Sequence, residues 1–199
     1  MSDQLASRTR LFEIAEEQAG FFTAAQALGA GYSNESQTYH HKTGNWLREG
    51  WGIYRLALYP FTEGEEYVRL MLWSRSRAGE IQAVISHETA LLEYELSNVL
   101  PGKIHLTVSK GFRKEPPEEA VLHYADLPDD AIRKQDGYRI TTPLRTLLDV
   151  AASPLSPEHL QAATADALSS GLVRSSDLKA AVMAAPPAVR ERYFRVGLG

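Results

Sequence analysis

The sequence predicts an α+β protein built in two parts. Three short helical segments and a β-hairpin occupy the first 60 of its 199 residues, and glycines separate them. The rest of the chain alternates between short apolar strands and helical segments. We therefore expect a winged helix-turn-helix over residues 1–60 and a mixed α/β domain over residues 61–199.

Local signals place the three N-terminal helices. Leu11, Ile14 and Ala15 recur at helical spacing in the first. Thr23 is followed three residues later by Gln26, a capping box that opens the second. A serine N-cap precedes the third, and a glycine follows it. The helices are expected at about residues 7–19, 24–28 and 34–43.

The hairpin comes next, with strands at residues 45–48 and 53–56 and a glycine-containing turn between them. In a winged helix-turn-helix, the third helix enters the DNA major groove and the hairpin touches the backbone or the minor groove. The core of this part is expected to contain Phe12, Phe21, Phe22, Leu28, Trp46, Leu47 and Ile53.

The second part begins after a linker at residues 60–64 that is poor in apolar side chains. Helices are expected at residues 65–76, 86–96, 143–152, 157–169 and 177–184, with a further helical turn in the tail. Strands or apolar stretches are expected at residues 81–85, 103–108, 120–124, 131–134 and 138–141.

Composition excludes several classes of protein. The chain has no cysteine, which excludes disulfide scaffolds, thiol nucleophiles and cysteine-ligated metals. No run of about 18 apolar residues is present, so we expect no membrane-spanning helix and no membrane partner. The N-terminus lacks the pattern of a signal peptide, and we expect a cytoplasmic location.

No familiar enzyme motif occurs. The sequence lacks a phosphate-binding loop, a dinucleotide fingerprint and a nucleophile elbow. Only His40 and His41 are neighbours among the six histidines, and adjacent residues on a helix point about 100° apart. We therefore expect no catalytic residues, no metal and no cofactor, although a site assembled from distant residues stays open.

Net charge provides no bulk signature of nucleic-acid binding. The chain carries −4 overall, with 5 Lys and Arg against 6 Asp and Glu in residues 1–60. A locally positive face remains compatible with that total.

The third helix and the hairpin nevertheless form the candidate DNA-binding surface. Asn and Gln pair with adenine edges, Thr methyls contact thymine, and Lys contacts phosphate or guanine. The two hairpin arginines are expected to contact phosphate, and a tryptophan lies between glycines near the tip. The predicted DNA-binding residues are Asn34, Gln37, Thr38, His40, Lys42, Arg48, Trp51 and Arg55.

A plain structural interpretation competes with this one. Polar helix faces are often only solvated, Trp51 could belong to the core, and Gln37 could face the interior. Glu35 and Glu49 would repel phosphate on a shared surface, which favours modest affinity or rejection of wrong sites.

Three C-terminal segments are also best explained as structural. Residues 141–149 have the pattern of a strand, a cap and a helix, on which Arg145 and Asp149 could form an i, i+4 pair. Residues 86–88 have the pattern of an N-cap with an acidic first turn. The basic loop at residues 110–114 is expected to be solvated, with a contact to phosphate or to a protein partner as the alternative.

Ordered blocks of the chain resemble the AbiEi-like antitoxins of type IV toxin–antitoxin systems. The N-terminal blocks are Gly31-Tyr32-Ser33, Tyr39-His40, residues 42–49, residues 52–56 and Tyr59-Pro60. The C-terminal blocks are residues 83–91, 105–108 and 141–149, so the resemblance covers about residues 8–185. One position departs from the pattern: the family leads us to expect an aliphatic residue facing the core where this chain has His41.

The resemblance implies a two-part antitoxin. Its winged helix would bind operator DNA and repress the operon, and its C-terminal domain would neutralise a nucleotidyltransferase-like toxin, often without a stable complex. Two alternatives remain open: an enzymatic antitoxin that modifies its toxin, for example by phosphorylation, and an antitoxin that acts by protein contact alone.

Overall fold

The computed structural model describes residues 2–197, with the side chain of residue 2 left aside. Over that range the chain contains nine α-helices and eight strands in two sheets, so the predicted α+β class is confirmed. The chain divides into two compact units. The first comprises the residues up to 83 and the segment 134–138, and the second comprises the rest.

The first unit follows the element order expected of a winged helix-turn-helix, with one strand and one further helix that complete it. Its elements are α1 (Ser2–Glu16), β1 (Phe21–Thr23), α2 (Ala24–Gly29), α3 (Asn34–Lys42), β2 (Trp46–Gly50), β3 (Ile53–Leu56) and α4 (Glu65–Ser74).

Its sheet has the order β1-β3-β2 and is antiparallel throughout. Strand β1 pairs Phe22 with Tyr54, and β2 pairs Arg48 with the same tyrosine. A bulge between Arg48 and Gly50 widens the hairpin near its turn. Strand β1 was not predicted, because three residues carry no readable alternation.

Local capping signals are confirmed in this unit. Thr23 Oγ1 accepts from the Gln26 amide at 3.2 Å, and the Gln26 side chain accepts from the Thr23 amide at 2.8 Å. Ser33 caps α3 through the amide of Ser36. Helix α1 begins and ends earlier than expected.

The predicted core is correct in part. Phe21, Phe22, Trp46 and Ile53 are buried, whereas the predictions for three other side chains are wrong. Adjacent helical positions point in different directions, so α1 buries Leu11 and exposes Phe12, and α2 buries Ala27 and exposes Leu28. Leu47 lies on strand β2, where neighbouring side chains point to opposite faces and Trp46 takes the buried one. The exposed ones are Phe12 (48%), Leu28 (58%) and Leu47 (39%).

Helix α4 belongs to the first unit, although the sequence assigned it to the second part. Its Leu72 packs in one buried cluster with Phe21 of β1 and Ile53 of β3. The first unit therefore extends through residue 83. A division of function at residue 60 stays a prediction.

The second unit combines a mixed sheet with a bundle of helices. Its elements are β4 (Val84–Ile85), α5 (His87–Glu93), β5 (Ile104–Val108), β6 (Ala120–Tyr124), β7 (Ile132–Lys134), β8 (Arg139–Thr141), α6 (Pro143–Ala152), α7 (Pro157–Ser169), α8 (Ser175–Ala184) and α9 (Pro187–Arg195).

The five-stranded sheet has the order β6-β5-β4-β8-β7. Strand β4 is antiparallel to β5 and parallel to β8, while β5 and β6 are parallel. Parallel neighbours require long connections, so the sheet joins residues that are distant in sequence. The helical core includes Leu91, Leu147, Leu160 and Tyr193.

Helices α6 and α7 begin at the predicted prolines, but α5 differs from expectation. It ends at Glu93, because Glu95 adopts the left-handed φ of 55°. Ser86 occupies its N-cap without a side-chain capping bond. The Ser86 hydroxyl instead bonds to Thr107 and His87, which the candidate N-cap interpretation did not anticipate.

Candidate nucleic-acid interface

Gln37 fastens helix α3 to the helix before it. Its Nε2 donates to the carbonyl oxygens of Ala24 and Tyr32, both at 3.2 Å, and the residue is 5% exposed. Gln37 is therefore not available to base edges, contrary to the expectation from sequence. The same contacts hold α3 rigidly, so its opposite face has a defined position.

That outward face carries four exposed residues at i, i+3, i+4 and i+7 spacing, namely Glu35, Thr38, Tyr39 and Lys42. Asn34 is also exposed in the first turn. The Thr38 hydroxyl donates to the Asn34 carbonyl at 2.9 Å, so its methyl is the group left for a thymine.

Tyr39 is the member of this face that the sequence analysis missed. It is 62% exposed and lies on the side of α3 opposite Gln37. A large aromatic side chain this exposed on the candidate recognition helix marks an interaction surface and can stack on bases or sugars. Tyr39 follows Gln37 by two residues and so lies on the opposite side of the helix. Assigning Gln37 to the interior would therefore have identified Tyr39 as an outward residue.

His40 is a packing residue as well as a predicted contact. Its ring stacks on Trp46 with centroids 4.8 Å apart and planes 15° apart. The Asn45 amide lies 3.3 Å from His40 Nδ1. Burial lowers the pKa of His40, which favours the neutral ring. His40 thus contributes to the aromatic cluster at the end of α3.

His41 occupies the position where an aliphatic core residue was expected. Its side chain is exposed instead, with Nδ1 3.4 Å from the carbonyl oxygen of Trp46. The side chain at position 41 therefore does not face the core, where the aliphatic residue of the family pattern was expected.

The wing presents Arg48 and Trp51 at its tip. Trp51 is 95% exposed, and the Arg48 guanidinium lies 5.6 Å from the centre of its ring. Gly52, with a φ of 67°, makes the turn, and its carbonyl accepts from the Ala24 amide at 2.8 Å. The tryptophan is therefore displayed on an anchored turn and does not belong to the core.

Arg55 does not join this surface. It is 2% exposed, and its guanidinium donates to the Pro60 carbonyl at 3.0 Å and to the Glu65 carboxylate at 3.2 Å. The Phe61 ring covers it, with the guanidinium 4.3 Å from the ring centre. The prediction that Arg55 contacts phosphate is corrected, because its guanidinium is paired with the Glu65 carboxylate inside the first unit.

The remaining surface is electrically balanced. Lys42 and Arg48 provide positive charge, while Glu35 and Glu49 provide negative charge, and all four are exposed. A hydrogen bond to its own backbone amide and one from Ser33 lower the pKa of Glu35, so it stays ionised. The arrangement fits shape and aromatic contact better than strong attraction to phosphate.

A second cluster of functional side chains lies in the second unit, where His87, His105 and His123 come together. The rings of His87 and His123 stack with centroids 3.5 Å apart, and His123 Nε2 lies 3.1 Å from His105 Nδ1. The sequence analysis missed this cluster because the three histidines lie on different elements, far apart in the chain.

Burial and mutual repulsion favour the neutral form of these histidines, and hydrogen bonds orient His87. The Thr107 hydroxyl donates to Ser86 Oγ at 2.8 Å, which leaves the Ser86 hydroxyl to donate to His87 Nδ1 at 2.9 Å. Burial and then the neighbouring His123 lower the pKa of His87 to about 3. Burial and then His105 lower the pKa of His123 to about 4.

His87 is also conformationally strained, with a φ of 53° and 8% exposure. Buried groups that combine strain with a shifted pKa often belong to functional sites. Within residues 2–197, however, no group of three or more His, Asp or Glu side chains is arranged to hold a metal ion.

The i, i+4 pair expected on α6 is confirmed, with Arg145 Nε 2.8 Å from Asp149 Oδ1. The other oxygen of Asp149 is buried without a hydrogen-bond partner. Burial raises the pKa of Asp149 to about 6, against the opposing effect of Arg145. The pair is internal to α6, and it leaves a titratable carboxyl group buried in the second unit.

Over the described part of the chain, no helix combines the length and apolarity that a membrane span needs. Comparison with known families shows that the model of the AbiEi antitoxin C-terminal domain matches residues 83–195, more than half of the chain. No curated protein sequence matches the chain.

The chain is similar in structure to the RV2827C protein from Mycobacterium tuberculosis, known from its crystal structure. The TM-score is 0.60 at 13% sequence identity, over 96% of this chain and 75% of that chain. At that identity the likeness is one of fold.

Proposed function

This chain belongs to the AbiEi antitoxin family, and on that premise we propose that it is a type IV antitoxin that also represses its own operon. The second unit would neutralise a nucleotidyltransferase-like toxin, and the first unit would bind operator DNA. The observation that carries the DNA-binding half is the exposed face of α3 beside the anchored wing tip, in a chain that also contains the antitoxin domain.

The first unit supports this role through three features. Gln37 fixes the orientation of α3, so the Thr38 methyl and the Tyr39 ring are presented outward together. Lys42 continues the same face at the end of the helix. Trp51 and Arg48 extend the surface onto the wing.

Direct base contacts are expected from α3, and backbone contacts are expected from Lys42 and Arg48. A base contact changes the preference among sequences, whereas a phosphate contact changes affinity for all of them and the dependence on salt. These consequences differ, so they can be measured separately.

Gel shifts with the chain's own upstream DNA, at two salt concentrations, test the DNA-binding half. Thr38→Ala should reduce discrimination between operator and unrelated DNA, by up to about 1–3 kcal/mol for a good contact. Arg48→Ala should weaken binding to both and lower the salt slope by about one unit. Lys179→Ala, an exposed residue of the second unit, is the matched control and should change neither.

Equal binding of operator and unrelated DNA by the parent chain would contradict a repressor role and favour an antitoxin that acts by protein contact alone. An unchanged slope for Arg48→Ala would remove the wing from the interface.

Co-expression with the toxin of the same operon tests the antitoxin half. The parent chain and the Trp51→Ala variant should both restore growth, since the wing is not expected to take part in neutralisation. Mass spectrometry of the recovered toxin separates the mechanisms: an unmodified toxin fits a non-enzymatic antitoxin, whereas an added phosphoryl group would indicate an enzymatic one. Failure of the parent chain to restore growth would overturn this half.

A further inference from the structure

We propose that helix α1 of one molecule pairs with α1 of a second copy of this chain, forming a symmetric dimer centred on Phe12. The inference rests on the surface of the first unit alone. It deepens the proposed function by pairing two winged helices, yet it can be tested without DNA.

Helix α1 has an apolar stripe besides the one that faces the core. Leu11 and Ala15 are buried, while Leu5 and Phe12 are 65% and 48% exposed on a different side of the helix. Leu58, which follows β3, is 99% exposed. Single exposed apolar residues are ordinary, but a contiguous group on a small unit marks an interaction surface.

These residues border one groove of about 1550 Å³ in the first unit. Leu5 and Phe12 line one side, and Leu58 and Tyr59 line the other. The outward face of α3, with Thr38, Tyr39 and Lys42, lies outside the lining of this groove. A partner in the groove would therefore leave the outward face of α3 and the wing tip open, while it would cover His40, which lines the groove.

The charges on the stripe indicate that the partner is a second copy. Arg8, Phe12 and Glu16 are spaced by four residues and form one ridge along α1. In the commonest class of helix packing, such ridges of two helices lie side by side at about −50°. When the two ridges run antiparallel about Phe12, each Arg8 lies beside Glu16 of the other copy.

The structure leaves both charges available for this pairing. Arg8 and Glu16 are exposed, and within residues 2–197 neither side chain forms an ion pair. Arg10, on another side of α1, is instead occupied by Ser7 and the carbonyl of Ala30. In a two-fold dimer each Arg8 pairs with one Glu16 of the other copy, so every charge of the ridge has one partner, as a self-complementary interface requires.

Sedimentation velocity of the full-length chain, from about 1 µM to about 500 µM, tests the proposal. The parent should show a reversible monomer–dimer equilibrium. Arg8→Glu and Glu16→Arg should each weaken it by about tenfold or more, because each places like charges opposite one another twice. The double variant, Arg8→Glu with Glu16→Arg, should dimerise like the parent.

A mixture of the two single variants provides the sharpest test. A heterodimer of Arg8→Glu with Glu16→Arg regains both opposite-charge pairs, so the mixture should associate although neither variant does so alone. Glu13→Arg, on another side of α1, is the matched control and should leave association unchanged.

A parent chain that stays monomeric throughout the range overturns the proposal. Dimerisation that neither Arg8→Glu nor Glu16→Arg weakens would assign the interface to another surface and would also overturn the proposal. Circular dichroism of each variant should match the parent, so that weaker association cannot come from unfolding. Success or failure in these experiments is independent of operator binding and of toxin neutralisation.

Discussion

The guanidinium of Arg55 donates to the carboxylate of Glu65 at 3.2 Å, with the two side chains 2% and 18% exposed. This pair joins strand β3 to the first turn of α4. Sequence patterns assigned the arginine to a DNA-contacting wing and the glutamate to a different domain. The contact reverses both assignments, and it explains why the segment after the hairpin completes the first unit.

Removing the carboxylate should destabilise the first unit. Glu65→Ala leaves the buried guanidinium without its anion, which costs about 3 kcal/mol for a buried pair. Urea unfolding followed by tryptophan fluorescence measures this, because Trp46, Trp51 and Trp73 all lie in the first unit. Glu66→Ala, the exposed neighbour, is the control and should stay within about 0.5 kcal/mol of the parent. Equal midpoints for the two variants would show that the pair is dispensable.

The length of the first unit can be tested with fragments. Residues 1–60 lack Glu65 and Leu72, so the Arg55 charge and the apolar surface of Phe21 and Ile53 would be uncovered. We expect residues 1–83 to unfold cooperatively in urea and residues 1–60 to do so at a lower midpoint or not at all. A stable fragment of residues 1–60 that binds operator DNA would restore the boundary predicted from sequence.

Two glycines of the first unit should respond oppositely to alanine. Gly20 has a φ of 86°, and a Cβ there would lie 2.6 Å from the Tyr59 ring, so Gly20→Ala should destabilise by more than about 1 kcal/mol. Gly29 ends α2 with nothing within 4 Å of its Cβ position, and Gly29→Ala should stabilise by about 0.4–1 kcal/mol. Thermal unfolding of both variants is the measurement, and a shift of the same sign in both would contradict the local geometry.

Trp51 should separate DNA binding from stability. The side chain is 95% exposed, so Trp51→Ala should change the free energy of unfolding by less than about 0.5 kcal/mol. The same variant should bind operator DNA more weakly in a gel shift. A large loss of stability would place the tryptophan in the core, and unchanged binding would remove it from the interface.

Acid should destabilise the second unit. The pKa values of His87 and His123 lie near 3 and 4 in the folded chain, against 6.5 for an ordinary histidine. Between about pH 4 and 6.5 the unfolded chain therefore binds more protons, and the stability present above pH 6.5 is lost as the pH falls. Burial lowers the pKa of His105 as well, against the opposing effect of Glu88 at 3.8 Å, and Arg145 adds to the lowering of the His87 pKa.

Asp149 acts in the opposite direction. Its pKa is raised from 3.8 to about 6, so the stability it contributes at low pH is lost as the pH rises through that window. The effect of two histidines on the free energy of unfolding exceeds that of one carboxyl group. We therefore expect a net loss of stability on acidification. Hydrogen exchange of β5 and β6 amides in urea at pH 7, 6 and 5 measures it, after correction for intrinsic rates. Asp149→Asn should make the loss of stability with falling pH steeper, and His123→Asn should make it shallower. His41→Asn is the control and should leave it unchanged. The same pH dependence in the parent, Asp149→Asn and His123→Asn would contradict the assignment of this loss to these groups.

Signals within a few residues were the reliable part of the sequence. Thr23 and Gln26 form the capping box that their spacing predicted, and helices α6 and α7 begin at the prolines that mark them. Each signal acts between neighbours in the chain, so its outcome does not depend on the rest of the fold. The family resemblance is confirmed for the same reason, since ordered local blocks carry it.

Side-chain direction was less predictable. Gln37 and Tyr39 lie two residues apart on one polar helix, yet one fastens α3 to α2 and the other faces outward. Polarity alone could not assign the inner face, because a polar side chain that finds carbonyl partners is buried without a large penalty.

The order of elements and the antitoxin family could thus be obtained from the chain alone, because both depend on contacts or motifs that are local in sequence. Packing between distant segments decided the burial of Arg55 against Glu65 and the meeting of His87, His105 and His123. Those outcomes depend on strand register and on which element covers which, and both are settled only when the whole unit closes around its core.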